Sequence, residues 1–270
     1  MKNLTSLLFS AALAVAPLIA CGQSPPAVPP AQPSIPAPSL VGPVSVAPEA
    51  RAILKILQDR KETLKDFTAA IDYSTDIADI HDISGKRGAL NFIIDPARGP
   101  IFTVDFTEDT ANGKPKRKHH QQVIFDGKEV TTKDFDPKEI MHANMLPAGA
   151  KPGDAVSLNG PLTLPIGLDV EDVIRNFDVT LRPSKDPNQA VLKLVPRAAG
   201  GAPTGGGVPP KFDFTALEIT VDKKLELPVK LVQTEKSRDV TTITLSNPVI
   251  NQGQAKMEST ATPPGWNVRK

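Results

Sequence analysis

Few residues in this chain of 270 are of a type that does chemistry. The one cysteine, Cys21, closes a segment that has Lys2 near its start and a mostly apolar run from Leu7 to Ala20. A charged start, an apolar run and a small residue at the cleavage point make a secretory signal. Two of the four histidines, His119-His120, follow the basic run Lys116-Arg117-Lys118. They could bind a metal or an anionic headgroup, but neighbours on a strand point to opposite faces and rarely share an ion. A solvated surface is the expected place for them, and for His81 beside Asp79 and Asp82. There is no G-x-S-x-G, no H-E-x-x-H and no P-loop. Acids are plentiful but scattered, with no carboxylate pair singled out. No catalytic residue, cofactor or metal is expected, and the chain reads as a non-enzyme.

The end of the signal, Leu18-Ile19-Ala20-Cys21, resembles the lipobox of bacterial lipoproteins. The resemblance implies cleavage before Cys21, a thioether-linked diacylglycerol on its sulfur and acylation of the new amino group. Several acyl chains anchor stably where one does not. The alternative is an ordinary cleaved signal followed by a chance cysteine. A spanning helix fits less well, because the run of about 14 residues contains Pro17 and falls short of the ~20 needed. Residue 22 is Gly rather than Asp. By analogy with lipoprotein sorting, that implies the outer membrane, facing the periplasm.

Charge narrows the partners. With 31 basic and 30 acidic residues the formal net charge is +1, so no long-range field attracts nucleic acid. Aromatic residues are 4 % of the chain, few for base-stacking or sugar-binding platforms. A lipidated Cys21 cannot form a disulfide, so the domain must be stable without one. Residues 1–20 are then the signal, and 21–47 the lipidated cysteine with a proline-rich tether. Eight prolines and no charges in residues 22–47 favour polyproline II over a core. Fully extended, that segment reaches roughly 80 Å. Residues 48–270 are enough for one domain with its own core.

The elements that must position any site follow from periodicity. Pro48-Glu49 opens an amphipathic helix to about residue 65, with Ala52, Ile53, Ile56, Leu57, Leu64 and Phe67 as the apolar members of its stripe. Alternation then predicts strands from Phe67, Ala89, Ile101 and Gln121, the last turning at Asp126-Gly127 into a partner at 128–135. Lys138–Leu146 and Asp169–Arg175 are short helix candidates, separated by a Gly/Pro-rich loop at 147–167. Strands resume at 177–183, 190–196, 215–222, 229–236 and 240–247, with the last clear signal at 256–260. A Gly/Pro-rich insert occupies 198–210. Strands at this spacing suggest a curved sheet or barrel, and a strongly curved sheet with the helices across its concave side would bury their stripes.

The order of these elements resembles the LolA/LolB-type lipoprotein carriers. The segments that carry the likeness are Ile53-Leu54-Lys55-Ile56-Leu57, Gly88-Ala89-Leu90-Asn91-Phe92 and Val123-Ile124-Phe125-Asp126-Gly127-Lys128. Leu192 to Arg197, Phe214 to Asp222, Asp239 to Asn247 and Thr262 to Val268 continue it. No single motif is specific; their shared order covers nearly all of residues 50–268. The resemblance implies a mainly β (α+β) fold, a single curved antiparallel sheet forming an unclosed half-barrel. An N-terminal helix and a helical lid would lie over its concave face. It also implies an apolar cavity for the acyl chains of lipids or lipoproteins. The family's basic residue beside the proline after the second strand is Asp95 here, and Arg98 is the nearest basic candidate for a lid contact.

Phe92, Ile94, Phe102, Val104 and Phe106 alternate on strands and are the candidate lipid-binding residues. Plain core packing under the helix would require the same pattern, so both readings stand at this point. A non-enzymatic module that presents the same fold to an envelope protein partner is the alternative function.

Overall fold

The expected first helix runs Pro48–Thr63 (α1) in a computed structural model that describes residues 46–144, 165–197 and 212–269. Cys21, the signal, all but the last two residues of the tether, most of the 147–167 loop and the 198–210 insert lie outside the described residues. All described residues belong to one compact unit, Pro43–Lys270. Pro48 occupies the first turn of α1, where its missing N–H has no helical partner to lose. The buried stripe is Ala50, Ile53, Leu54 and Leu57, while Ala52 faces solvent.

Six strands follow: β1 (Asp66–Ile77), β2 (Asp82–Asp95), β3 (Gly99–Ala111), β4 (Lys114–Phe125), β5 (Glu129–Asp134) and β6 (Glu139–Asn144). A short helix α2 (Val170–Asn176) precedes β7 (Phe177–Arg182), β8 (Gln189–Pro196) and β9 (Phe214–Asp222). β10 (Leu227–Glu235), β11 (Val240–Ile250) and β12 (Asn267–Arg269) complete the chain. α2 starts as its sequence dictates: Asp169 is the N-cap, and its carboxylate accepts from Asp172 N at 2.9 Å. The helix expected at 138–146 is instead a strand over 139–144; residues 145 and 146 lie outside the described set. Glu139, Met141 and Ala143 are good helix formers, but pairing with β5 buries Ile140 completely, and that tertiary contact outweighs local propensity.

All twelve strands form one sheet, in the order β12-β6-β5-β4-β3-β2-β1-β11-β10-β9-β8-β7. It does not close into a barrel, so the fold is an unclosed half-barrel with helices, as the resemblance implies. Every pair is antiparallel except β12 with β6, which is parallel because the chain reaches that edge after crossing a face. The crossing begins at Asn251. Its Oδ1 accepts from Lys65 N at 2.7 Å, and its Nδ2 donates to Thr63 O at 2.8 Å. Glu258 N then donates to Thr103 Oγ1, and Lys133 Nζ donates to Ser259 O. The segment at 256–260 is therefore an irregular strap over the sheet rather than a strand. Ile101, Thr103, Ile124, Thr131 and Ile140 are buried on that side. Trp266 meets Phe135 edge-on at 5.0 Å, and Phe135 stacks on His120 at 3.7 Å.

The opposite, inner face carries two apolar clusters. One joins α1 and α2 to β7–β10, through Leu54, Leu57, Val173, Phe177, Leu192 and Ile219. The other lies on β1–β5 and β11, with Leu227 from the start of β10.

Gly88 leaves no room for a side chain between its strand and the next. It sits at a bulge in the β2–β3 register, where a Cβ would stand 2.0 Å from Asp105 O. Backbone cannot yield as a flexible side-chain end can. Gly88→Ala should therefore destabilise the domain by about 1–3 kcal/mol, as overpacking does, read from the midpoint of urea unfolding. A midpoint equal to that of the parent would show that β2 and β3 can separate there without cost.

Candidate functional site

Strand alternation assembles the inner face in rows. Phe67, Phe92, Phe102 and Phe125 are successive register partners on β1 to β4, and Val130 on β5 ends the row. Phe67 and Phe92 lie 5.1 Å apart between ring centres, and Phe102 and Phe125 lie 5.5 Å apart, both within the favourable range for aromatic pairs. The next row is Ala69, Leu90, Val104 and Val123, ending at Thr132. The third is Ile71, Gly88, Phe106 and Gln121, ending at Asp134. The fourth runs Tyr73, Lys86, Asp109 and Arg117. The face thus passes from aromatic to aliphatic to charged along the strands.

All five candidate lipid-binding residues fall in this cluster. Phe92, Phe102, Val104 and Phe106 are buried, and Ile94 is half-buried against them. The sequence reading missed Phe67, Leu90 and Phe125, although the register of the first hairpins contains them. Two grooves among the described residues are lined from α1 and β7–β11 instead. Arg98 sits in the β2–β3 turn. Its guanidinium donates to Asp95 Oδ2 at 2.9 Å, and its backbone N donates to Asp95 Oδ1. These bonds, the side-chain one foremost, hold the Asp95 carboxyl at about 2. The guanidinium is thus engaged within its own turn.

The charged end of the face is the second feature, and it corrects one expectation. His119 is not on the surface but buried, because the parity of β4 turns it inward with Gln121 and Val123. His120 faces the other way, with Nε2 2.7 Å from Asp105 Oδ1. His119 Nδ1 lies 3.1 Å from Asp109 Oδ1, and its Nε2 lies 3.0 Å from Asp134 Oδ1. A neutral ring can donate to only one of them. Lys86 Nζ donates to Asp109 Oδ1 at 3.0 Å, and Arg117 Nε donates to Asp109 Oδ2 at 2.7 Å. Burial alone would raise the Asp109 carboxyl, but the bonds from Arg117, His119 and Lys86 outweigh it and hold the group at about 2. Sequence spacing does not reveal this cluster, since its members come from four strands. No group of three or more such ligands among the described residues could hold a metal ion. The arrangement closes the polar end of an apolar face and contains no nucleophile paired with a base.

No family model matches the chain, and no curated protein matches it. Among solved structures it is similar to an uncharacterized conserved protein from Thermus thermophilus, at 14% identity and a TM-score of 0.44, over 82% of this chain and 98% of that one. It is similar to a chain of the Pseudomonas aeruginosa MucA/MucB complex, at 14% and 0.43, over 78% of this chain and 59% of that one. The Mycobacterium tuberculosis lipoprotein LppX is similar at 10% and 0.41, over 79% of this chain and all of that one (100%).

The charged end generates a pH test. Asp109 is depressed in the folded state from 3.8 to about 2, so its stabilising effect is full above pH 4. It is lost as pH falls through about 2. Asp109→Asn should cost about 1–2 kcal/mol at pH 7, and the gap to the parent should close between pH 4 and pH 2. Urea titrations at a series of pH values measure it; a gap independent of pH would mean that the carboxylate charge contributes nothing.

Proposed function

We propose that the chain is a lipid-anchored protein of the cell envelope that binds acyl chains against the graded inner face of its half-barrel. In this reading residues 1–20 are the signal, Cys21 carries the lipid, and 21–47 hold the domain off the outer membrane on its periplasmic side. Residues 48–270 bind the acyl chains of a lipid or lipoprotein for transfer or sorting. Phe92, Ile94, Phe102, Val104 and Phe106 contact the chain, with Phe67 and Phe125 beside them.

One observation carries the reading. α1 and α2 pack on the β7–β10 half of the inner face. The phenylalanine half is built from strands, with Leu64, Ile166 and Leu225 from the connections and no residue of a described helix. An apolar surface that the helices leave to other cover is one a hydrocarbon chain can share. Each CH₂ moved there from water is stabilised by about 0.8 kcal/mol. Adjoining rows of apolar side chains suit a flexible chain better than a rigid ligand. Among the described residues no helix is long and apolar enough to cross a membrane.

The test is lipid extraction from the full chain carrying Cys21→Ser, which removes the anchor thiol, after purification without detergent. The expected result is one acyl-bearing species per chain by mass spectrometry, reduced severalfold in Phe106→Ser. A chain free of lipid that takes up no fluorescent fatty acid would sink the proposal and favour docking to an envelope protein.

A further inference from the structure

The sheet opens between β10 and β11. β10 and β11 pair from Lys230–Thr234 against Thr244–Val240, and the ladder stops there. Yet β10 begins at Leu227, and β11 runs on beside β1 to Ile250. The sequence provides for the split on both strands. Pro228 and Pro248 have no N–H to give across it. Asn247 takes the left-handed conformation at φ 52, and the β1–β11 register jumps there, from Ala70–Ser246 to Thr68–Val249. On β10 a second irregularity lies between Pro228 and Lys230 against β9. Two bulges therefore bend neighbouring strands apart, as bulges do.

A groove of about 520 Å³ occupies the gap. Leu225 and Leu245 line it. Leu245 is a member of the phenylalanine cluster of the inner face, and Leu225 packs against that cluster. The floor of the groove thus adjoins the apolar cluster of the inner face. Its rim is polar. Lys230 lies between its register partners Thr220 and Thr244, all three lining the groove, and Lys185 approaches from the β7–β8 connection. Both lysines are exposed, and neither has an ion pair among the described residues. The acid on the rim, Asp222, is tied into its own turn, accepting from Lys224 N at 2.9 Å and Leu225 N at 3.0 Å. Two free ammonium groups and two hydroxyls above an apolar floor match an amphiphile with an anionic head.

We infer that the split between β10 and β11 is a side port for an anionic amphiphile, its phosphate between Lys185 and Lys230 and its chain passing Leu225 and Leu245 to the phenylalanine row. The inference rests on the acyl-binding reading and adds the headgroup class and the route. A zwitterionic head, whose own ammonium would face the two lysines, fits worse. Free phosphate has the charge but lacks the chain that the floor would hold.

The experiment is titration of the full chain with tail-labelled phosphatidylglycerol and phosphatidylcholine, with inorganic phosphate as competitor. The parent should prefer phosphatidylglycerol. Lys185→Glu/Lys230→Glu should weaken that lipid by about tenfold, consistent with about 1 kcal/mol or less per charge, and leave phosphatidylcholine unchanged. Millimolar phosphate should displace little of either. If the parent binds both lipids and the double variant keeps the same preference, the port is wrong and acyl binding stands. If phosphate alone displaces the lipid, the rim is a phosphate site and not a port. If the parent binds neither lipid, both the port and the acyl-binding reading fall.

Discussion

A twelve-stranded sheet that stays open has two faces and two edges, and water must be kept from the apolar part of each. This requirement organises the molecule. The inner face is divided between helices and a phenylalanine row. The outer face of β3–β6 is covered by the strap that follows β11, which also supplies β12 as a three-residue edge strand. A very short edge strand leaves little free backbone for another chain to pair with. At the other edge β7 is also short, and it alternates Asp178, Thr180 and Arg182 outward.

Electrostatics enters where the apolar rows end. Lys86, Asp109, Arg117, His119 and Asp134 satisfy one another within hydrogen-bonding distance, so the far end of the face closes without unpaired charge. Under the strap, burial pushes the Lys133 ammonium below its usual range, partly offset by Glu258. Its bond to the Ser259 carbonyl shows how the outer face tolerates a buried lysine. The two faces thus use opposite means. The inner one segregates charge to an end, and the outer one distributes polar groups beneath a polar backbone segment.

The sequence made local features legible. α1 carries its proline start, α2 its Asp169 cap, and the β4–β5 hairpin its Asp126-Gly127 turn, where Asp126 Oδ1 accepts from Lys128 N and Glu129 N. Alternation was enough to put Phe102, Val104 and Phe106 on one side of β3. What escaped depends on pairing across long stretches of chain. β6 reads as a helix until β5 is beside it. His119 reads as surface because the parity of β4 is ambiguous within a run of charged residues. The strap has no periodicity, since its partners are single polar atoms on distant strands. The Asn247-Pro248 pair is visible in the sequence, but its meaning requires knowing that β10 lies alongside.

Pairing between β1 and β11 joins residues 66–77 to residues 240–250, and Asn251 then fastens the end of α1. The first strand therefore lacks one of its two neighbours until the eleventh has been made. Contacts so far apart in sequence carry a loop-closure cost and slow the search for the native register. Hairpins such as β2–β3 and β4–β5 can form early, but the seam that makes one sheet of them comes late. For a chain exported as proposed, late closure has a use: it leaves the polypeptide threadable until its C-terminal third has followed it.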